Sequence, residues 1–97
     1  MENIKLTLAD NGRGAFTISE ENEQLGEMVI GVAGTTLTVY HTEVDAKAEG
    51  KGYAKKMLAA IVEHARKKNL KVVALCPYVH VQFKRHPAEY ADIIKEK

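Results

Sequence analysis

The chain carries a single cysteine, Cys76, so an internal disulfide is excluded and a reducing, cytoplasmic compartment is the expectation. No apolar run approaches the roughly 20 residues needed to cross a bilayer as a helix, so no membrane anchoring is expected. The opening residues Met1-Glu2-Asn3-Ile4-Lys5 lack a basic segment followed by an apolar one, the pattern of a secretory leader. Excess charge is also missing. With 14 basic and 13 acidic residues the formal net charge is +1, which leaves no broad basic face for nucleic acid, and no such partner is expected. There is no Pro/Ser/Gln-rich stretch and no internal period of about 20–50 residues, which argues against disorder and against a solenoid. At 97 residues the chain has room for one domain, and a single soluble domain over residues 1–97, monomeric by default, is the expectation.

What is present falls into two halves. In the first, apolar residues alternate. Ile4, Leu6 and Leu8 predict a strand, and Asp10-Asn11-Gly12 supplies hairpin turn chemistry before a second strand carrying Phe16 and Ile18. A third strand with Met28, Ile30 and Val32 follows the acidic turn Glu20-Glu21-Asn22-Glu23. Ala33-Gly34 leads into a fourth, from Thr35 to about Val44, in which Leu37, Val39, His41 and Glu43 are expected on one face. The period then lengthens. Ala54, Met57, Leu58, Ile61 and Ala65 fall at three- and four-residue steps, predicting an amphipathic helix from about Gly52 to Lys68 closed by Asn69. Val72-Val73-Ala74-Leu75 reads as a parallel strand buried on both faces. Helical pieces from about Tyr78 to His86 and from Glu89 to Lys95 complete an α/β (α+β) domain with a mixed sheet.

The residues with the clearest chemical potential lie between the fourth strand and the long helix, in Glu49-Gly50-Lys51-Gly52-Tyr53-Ala54. Glycines there let the backbone approach a ligand, and the helix that follows adds unpaired N–H groups and the positive end of its dipole, a cradle for a pyrophosphate. The competing reading is a flexible strand–helix turn. The basic residues from Lys47 to Lys71 are explained by a solvated helix face or by a ligand patch. His64, His80 and His86 show no metal-ligand spacing, and no metal is expected.

This loop resembles the acetyl-CoA signature of the GNAT superfamily of N-acetyltransferases, Gln/Arg-x-x-Gly-x-Gly/Ala. It matches at Gly52 and Ala54, carries Gly50 in addition, and departs at Glu49. Together with His41-Thr42-Glu43-Val44, Leu75-Cys76-Pro77-Tyr78 and His86-Pro87-Ala88-Glu89-Tyr90, it is similar to a group of very small, one-domain GNAT-like proteins from about residue 39 to 94. The resemblance implies a GNAT-like mixed sheet: four antiparallel strands, a helix, a parallel fifth strand and C-terminal helices. It further implies that acetyl-CoA enters where the fourth and fifth strands splay, its pyrophosphate held by backbone amides from Lys51 to Lys55. Val44, Gly50, Lys51, Gly52, Tyr53, Ala54, Lys55, Cys76, Pro77, Tyr78 and Phe83 would then line the coenzyme. Cys76 and His41 would meet at the thioester, the imidazole acting on an incoming amine or on the thiol, with Glu43 as a further base. A small buried hydrophobe and a satisfied core histidine are the alternatives for that pair. Larger relatives use a tyrosine acid where Phe83 stands, and Tyr78, nearer the strand, is either a substitute acid or an aromatic packing residue. The implied activity is acetyl transfer from acetyl-CoA to a primary amine of a small molecule, a protein lysine or an N-terminus. The alternative is an acyl-CoA-binding module with little activity.

Overall fold

A computed structural model of the chain describes residues 2–95. The strands are β1 (Glu2–Leu8), β2 (Arg13–Glu20), β3 (Glu23–Ala33), β4 (Thr36–Val44) and β5 (Lys71–Ala74). They form one sheet in sequence order, β1 to β4 antiparallel and β5 parallel to β4. The helices are α1 (Tyr53–Lys68), α2 (Pro77–Arg85) and α3 (Pro87–Tyr90). This is the mixed α/β sheet that the hydropathy pattern predicts. No helix among the described residues is long and apolar enough to cross a membrane.

Opposed residues of an antiparallel ladder share a face, so the register gives rows across the sheet. One row runs Leu6, Phe16, Met28, Thr42 and another Ile4, Ile18, Gly26, Val44. On this face Phe16, Ile18, Met28 and Ile30 are buried beneath Met57, Leu58, Ile61 and Ala65 of α1, the stripe legible in the helical period. At Gly26 a Cβ would stand 2.9 Å from the Ile18 side chain and 3.0 Å from Met57, so the helix packs on the strand without room for a side chain. Asn69 closes α1 in the left-handed conformation, φ 56°.

The crossovers from β4 to β5 and from β5 to the Ile94 bridge beside Val72 run the same way across the sheet. Right-handedness then places α1 and α2 on the same face. The other face carries Lys5, Thr7, Tyr40 and Leu75, all exposed. This corrects the expectation for β5: Val72 is buried, Val73 and Ala74 are half-buried, and Leu75 beyond the strand is 51% exposed, because helices cover one side only. The last helical piece is also shorter than its composition suggests. It ends at Tyr90, and the chain then runs beside β5, Val72 N donating to Ile93 O at 2.6 Å and Lys95 N to Val72 O at 3.0 Å.

Candidate active site

β5 pairs with β4 only from Thr36 to Val39. The Val39 carbonyl then accepts from both Leu75 N and Cys76 N at 3.0 Å, and Pro77 turns the chain into the first turn of α2. β4 continues to Val44 with β3 on one side and no strand on the other, which leaves a gap in the sheet.

The loop after β4 opens onto this gap. The Asp45 side chain accepts from Lys47 N and caps a 3₁₀ turn over Ala46–Ala48. Gly50 and Gly52 follow at φ 85° and 75°, the left-handed region that disfavours a Cβ. Gly52 caps α1 with no side-chain hydrogen bond, and the first bond it receives comes from Lys56 N at 3.1 Å. The N–H groups of Tyr53, Ala54 and Lys55 therefore project from the helix end with no intrahelical acceptor. A Cβ on either glycine would meet nothing within 4 Å. The open space is a cleft of about 440 Å³ lined by the glycine loop, Lys55 and, across the gap, Val44 and Tyr78.

The charges around the cleft are unequal. Lys51 Nζ lies 3.2 Å from Glu20, and Lys56 pairs with Glu2. Lys55 makes no ion pair among the described residues, so its ammonium is available at the cleft. Glu49 lines the same cleft and is exposed. Tyr53 contributes its backbone rather than its ring: the side chain is buried and its hydroxyl donates to the Glu20 carboxylate, pinning the start of α1 to the end of β2. That bond, helped by burial, pushes the phenol up to about 12, while Tyr53 and then Lys51 hold the Glu20 carboxyl below its ordinary value. Burial also raises the Tyr78 phenol, so it stays protonated at neutral pH where it lines the cleft.

The expected pairing of His41 with Cys76 is replaced by another. Val39 opposes Ile30 but His41 opposes Val29, so Tyr40 is an extra residue, a β-bulge. Beyond it the alternation reverses phase. Thr42 and Val44 take the helix-covered face, and His41 and Glu43 turn to the opposite, exposed one. Cys76, 2% exposed, lies 2.9 Å from Thr42 Oγ1, a contact that sequence reasoning missed because nothing in the local pattern marks the bulge. His41 Nε2 instead lies 3.9 Å from Glu43 Oε1, both side chains largely in solvent. Phe83 stands apart from the glycine-loop cleft. It is buried against Tyr90 at 4.9 Å and borders a separate cavity with Val72, Val73 and Ala74.

The model of the GCN5-related N-acetyl-transferase family matches residues 15–93. The chain belongs to this family. A GCN5-like protein from Staphylococcus aureus, solved in solution, shares 33% identity over 100% of this chain and 93% of its own, with a TM-score of 0.68. Two further solved structures share the fold at lower identity. The ribosomal-protein-S18-alanine N-acetyltransferase from Escherichia coli has a TM-score of 0.70 at 10% identity, over 76% of this chain and 66% of its own. A GNAT family acetyltransferase from Elizabethkingia anophelis, solved with acetyl-CoA bound, has a TM-score of 0.64 at 15% identity, over 75% of this chain and 63% of its own. This chain thus spans a little under two thirds of those two acetyltransferases. No curated protein sequence matches it.

Proposed function

We propose that the protein transfers an acetyl group from acetyl-CoA to a primary amine, with the gap between β4 and β5 holding the thioester. The observation that carries this reading is the uncapped start of α1 facing the cleft behind two left-handed glycines. A pyrophosphate there receives hydrogen bonds from the free N–H groups of Tyr53, Ala54 and Lys55 and is met by the Lys55 ammonium, with the helix dipole adding to the attraction. The pantetheine arm passes between Val44 and Tyr78 into the gap. Cys76 and Pro77 start α2 beyond the gap, and Phe83 anchors that helix in the core.

Among the mechanisms open to these residues, direct transfer fits best. Cys76 is buried and bonded to Thr42, whereas His41 is exposed on the uncovered face, where an acceptor can reach it. His41 accepts a proton as the amine nitrogen attacks the thioester carbonyl, and Glu43 orients the imidazole. As the C–S bond breaks, the thiolate takes a proton, a role the protonated Tyr78 phenol fills from the wall of the cleft. A single assay tests the reading: release of free thiol from acetyl-CoA in the presence of a panel of small amines and lysine peptides. Turnover with any acceptor supports transfer. Tight acetyl-CoA binding with no turnover across the panel reduces the protein to a coenzyme-binding module.

A further inference from the structure

On the side of β5 away from β4 lies a cavity of about 360 Å³, between α2 and the chain's C-terminal segment. Its floor is apolar: Val72 and Phe83 are buried, and Ala74 and Ile94 are half-buried. Around the rim stand His80, Lys84 and Lys95, all exposed. His80 and Lys84 are one helical turn apart and share a flank of α2. Tyr78 is about 200° round the helix from His80, at about 100° per residue. One flank of α2 therefore meets the coenzyme cleft and the other meets this cavity. No acidic side chain lines the cavity among the described residues. Lys84 makes no ion pair among those residues, and Lys95 Nζ donates only to a neutral hydroxyl, Thr36 Oγ1, at 2.8 Å. The edge of β5 offers little to an added peptide strand, because Val72 already bonds Ile93 and Lys95 through its backbone and the strand ends at Ala74.

We propose that this cavity is a second ligand site, which takes a medium-chain aliphatic carboxylate with its chain on the apolar floor and its head at Lys84 and Lys95. The site is independent of the coenzyme reading and lies across α2 from the cleft. Depth orders the chemistry: apolar side chains sit below and cations above, the arrangement that receives an amphiphile tail first. Sign decides the head group. Two ammonium groups without a carboxylate partner attract an anion and repel an amine, and the His80 imidazole adds an N–H donor at the same rim. Size decides the tail. At roughly 30 Å³ per non-hydrogen atom, the packing of a liquid, the cavity holds about a dozen atoms, enough for an acid of about eight carbons.

Titration of the full chain with octanoate, butyrate and octylamine, followed by backbone amide chemical shifts, tests the site. Octanoate is expected to move Val72, Ala74, Lys84 and Ile94 and to leave Gly52 and Ala54 in place. Butyrate should bind at least about tenfold more weakly, since each buried methylene is worth roughly fourfold in affinity. Octylamine keeps the tail and inverts the charge, so it should also lose about tenfold or more. Lys84→Glu should weaken octanoate by a similar factor and narrow its margin over octylamine; the position is exposed, so folding is not at stake. Saturating coenzyme A should leave the octanoate shifts unchanged. No shift at millimolar octanoate, shifts at the glycine loop or spread over the uncovered sheet face, or displacement by coenzyme A would each overturn the second site. Equal affinity for octanoate and octylamine, or full octanoate affinity in Lys84→Glu, would overturn its assignment to a carboxylate.

Discussion

Thr42 Oγ1 and Cys76 Sγ lie 2.9 Å apart across the gap where β4 leaves β5. The thiol is thereby held on the helix-covered face, while the His41–Glu43 pair stands on the other. Cysteine and imidazole, the two groups most suited to acyl chemistry in this chain, are separated by the sheet itself.

The separation predicts distinct mutant phenotypes. Cys76→Ala should keep most of the acyl-transfer rate, whereas His41→Ala should lose about 10²–10⁴-fold, the usual range for a general base. Thiol release from acetyl-CoA under saturating amine measures both. An acetyl mass increment on Cys76, formed without amine and reversed by hydroxylamine, would show that the covalent route operates instead.

Coenzyme binding should be visible as stability. Acetyl-CoA at about a hundredfold over its dissociation constant adds about 2.7 kcal/mol. For a domain of this size that raises the melting temperature by on the order of 10 °C. NAD and ATP at the same concentration are expected to do much less, and an acetyl-CoA scan superimposable on the ligand-free one counts against the cleft.

Gly52 carries a sharper prediction because its φ of 75° and the open space beside it act together. Gly52→Val strains the backbone by about 1–2 kcal/mol and places a branched side chain where the phosphate must approach. Coenzyme affinity should fall by about a hundredfold or more, against about tenfold for Lys55→Ala, which removes one charge and leaves the backbone donors. Normal binding by a folded Gly52→Val protein would relocate the cradle.

Acid sensitivity should begin at His64. Its ring lies edge-on to Phe16 at 5.8 Å, and burial, followed by Lys68 and Lys67, lowers its pKa below the ordinary 6.5. The unfolded chain therefore takes up this proton first, so the stability His64 contributes is present above about pH 6.5 and is lost as the pH falls through its folded value. Glu2, Glu20 and Asp92, held low by Lys56, Tyr53 and Arg66 respectively, act in the same direction at lower pH. The urea midpoint is expected to fall between about pH 7.5 and 5.5, and His64→Phe should flatten that slope. Parallel slopes for the two proteins would remove His64 as the cause.

Much of this was legible in the sequence because it rests on local chemistry. The alternation of Ile4 with Leu6 and of Phe16 with Ile18, the stripe from Met57 to Ala65, the Asn69 cap and the glycine loop each state a backbone preference or a buried face within a few residues. The family signature followed from the same stretch. Two local readings failed for a common reason. Val72-Val73-Ala74-Leu75 looks like a strand covered on both faces, and Glu89 to Lys95 looks helical. Whether a face is covered, or a segment pairs instead with a strand edge, depends on neighbours distant in sequence.

The sequence alone determined the order of the elements and the place of the glycine turn that opens α1, since hydrophobic period and glycine conformation are properties of short segments. Only the tertiary structure decided which side chains meet. The bulge at Tyr40 lies where β4 parts from β5 while still paired with β3, and one extra residue turns Thr42 towards Cys76 and His41 away from it. The same holds for Tyr53 on Glu20 and for Val44 and Tyr78 across the cleft: each joins residues that are remote in the chain, and only the tertiary packing brings them within reach.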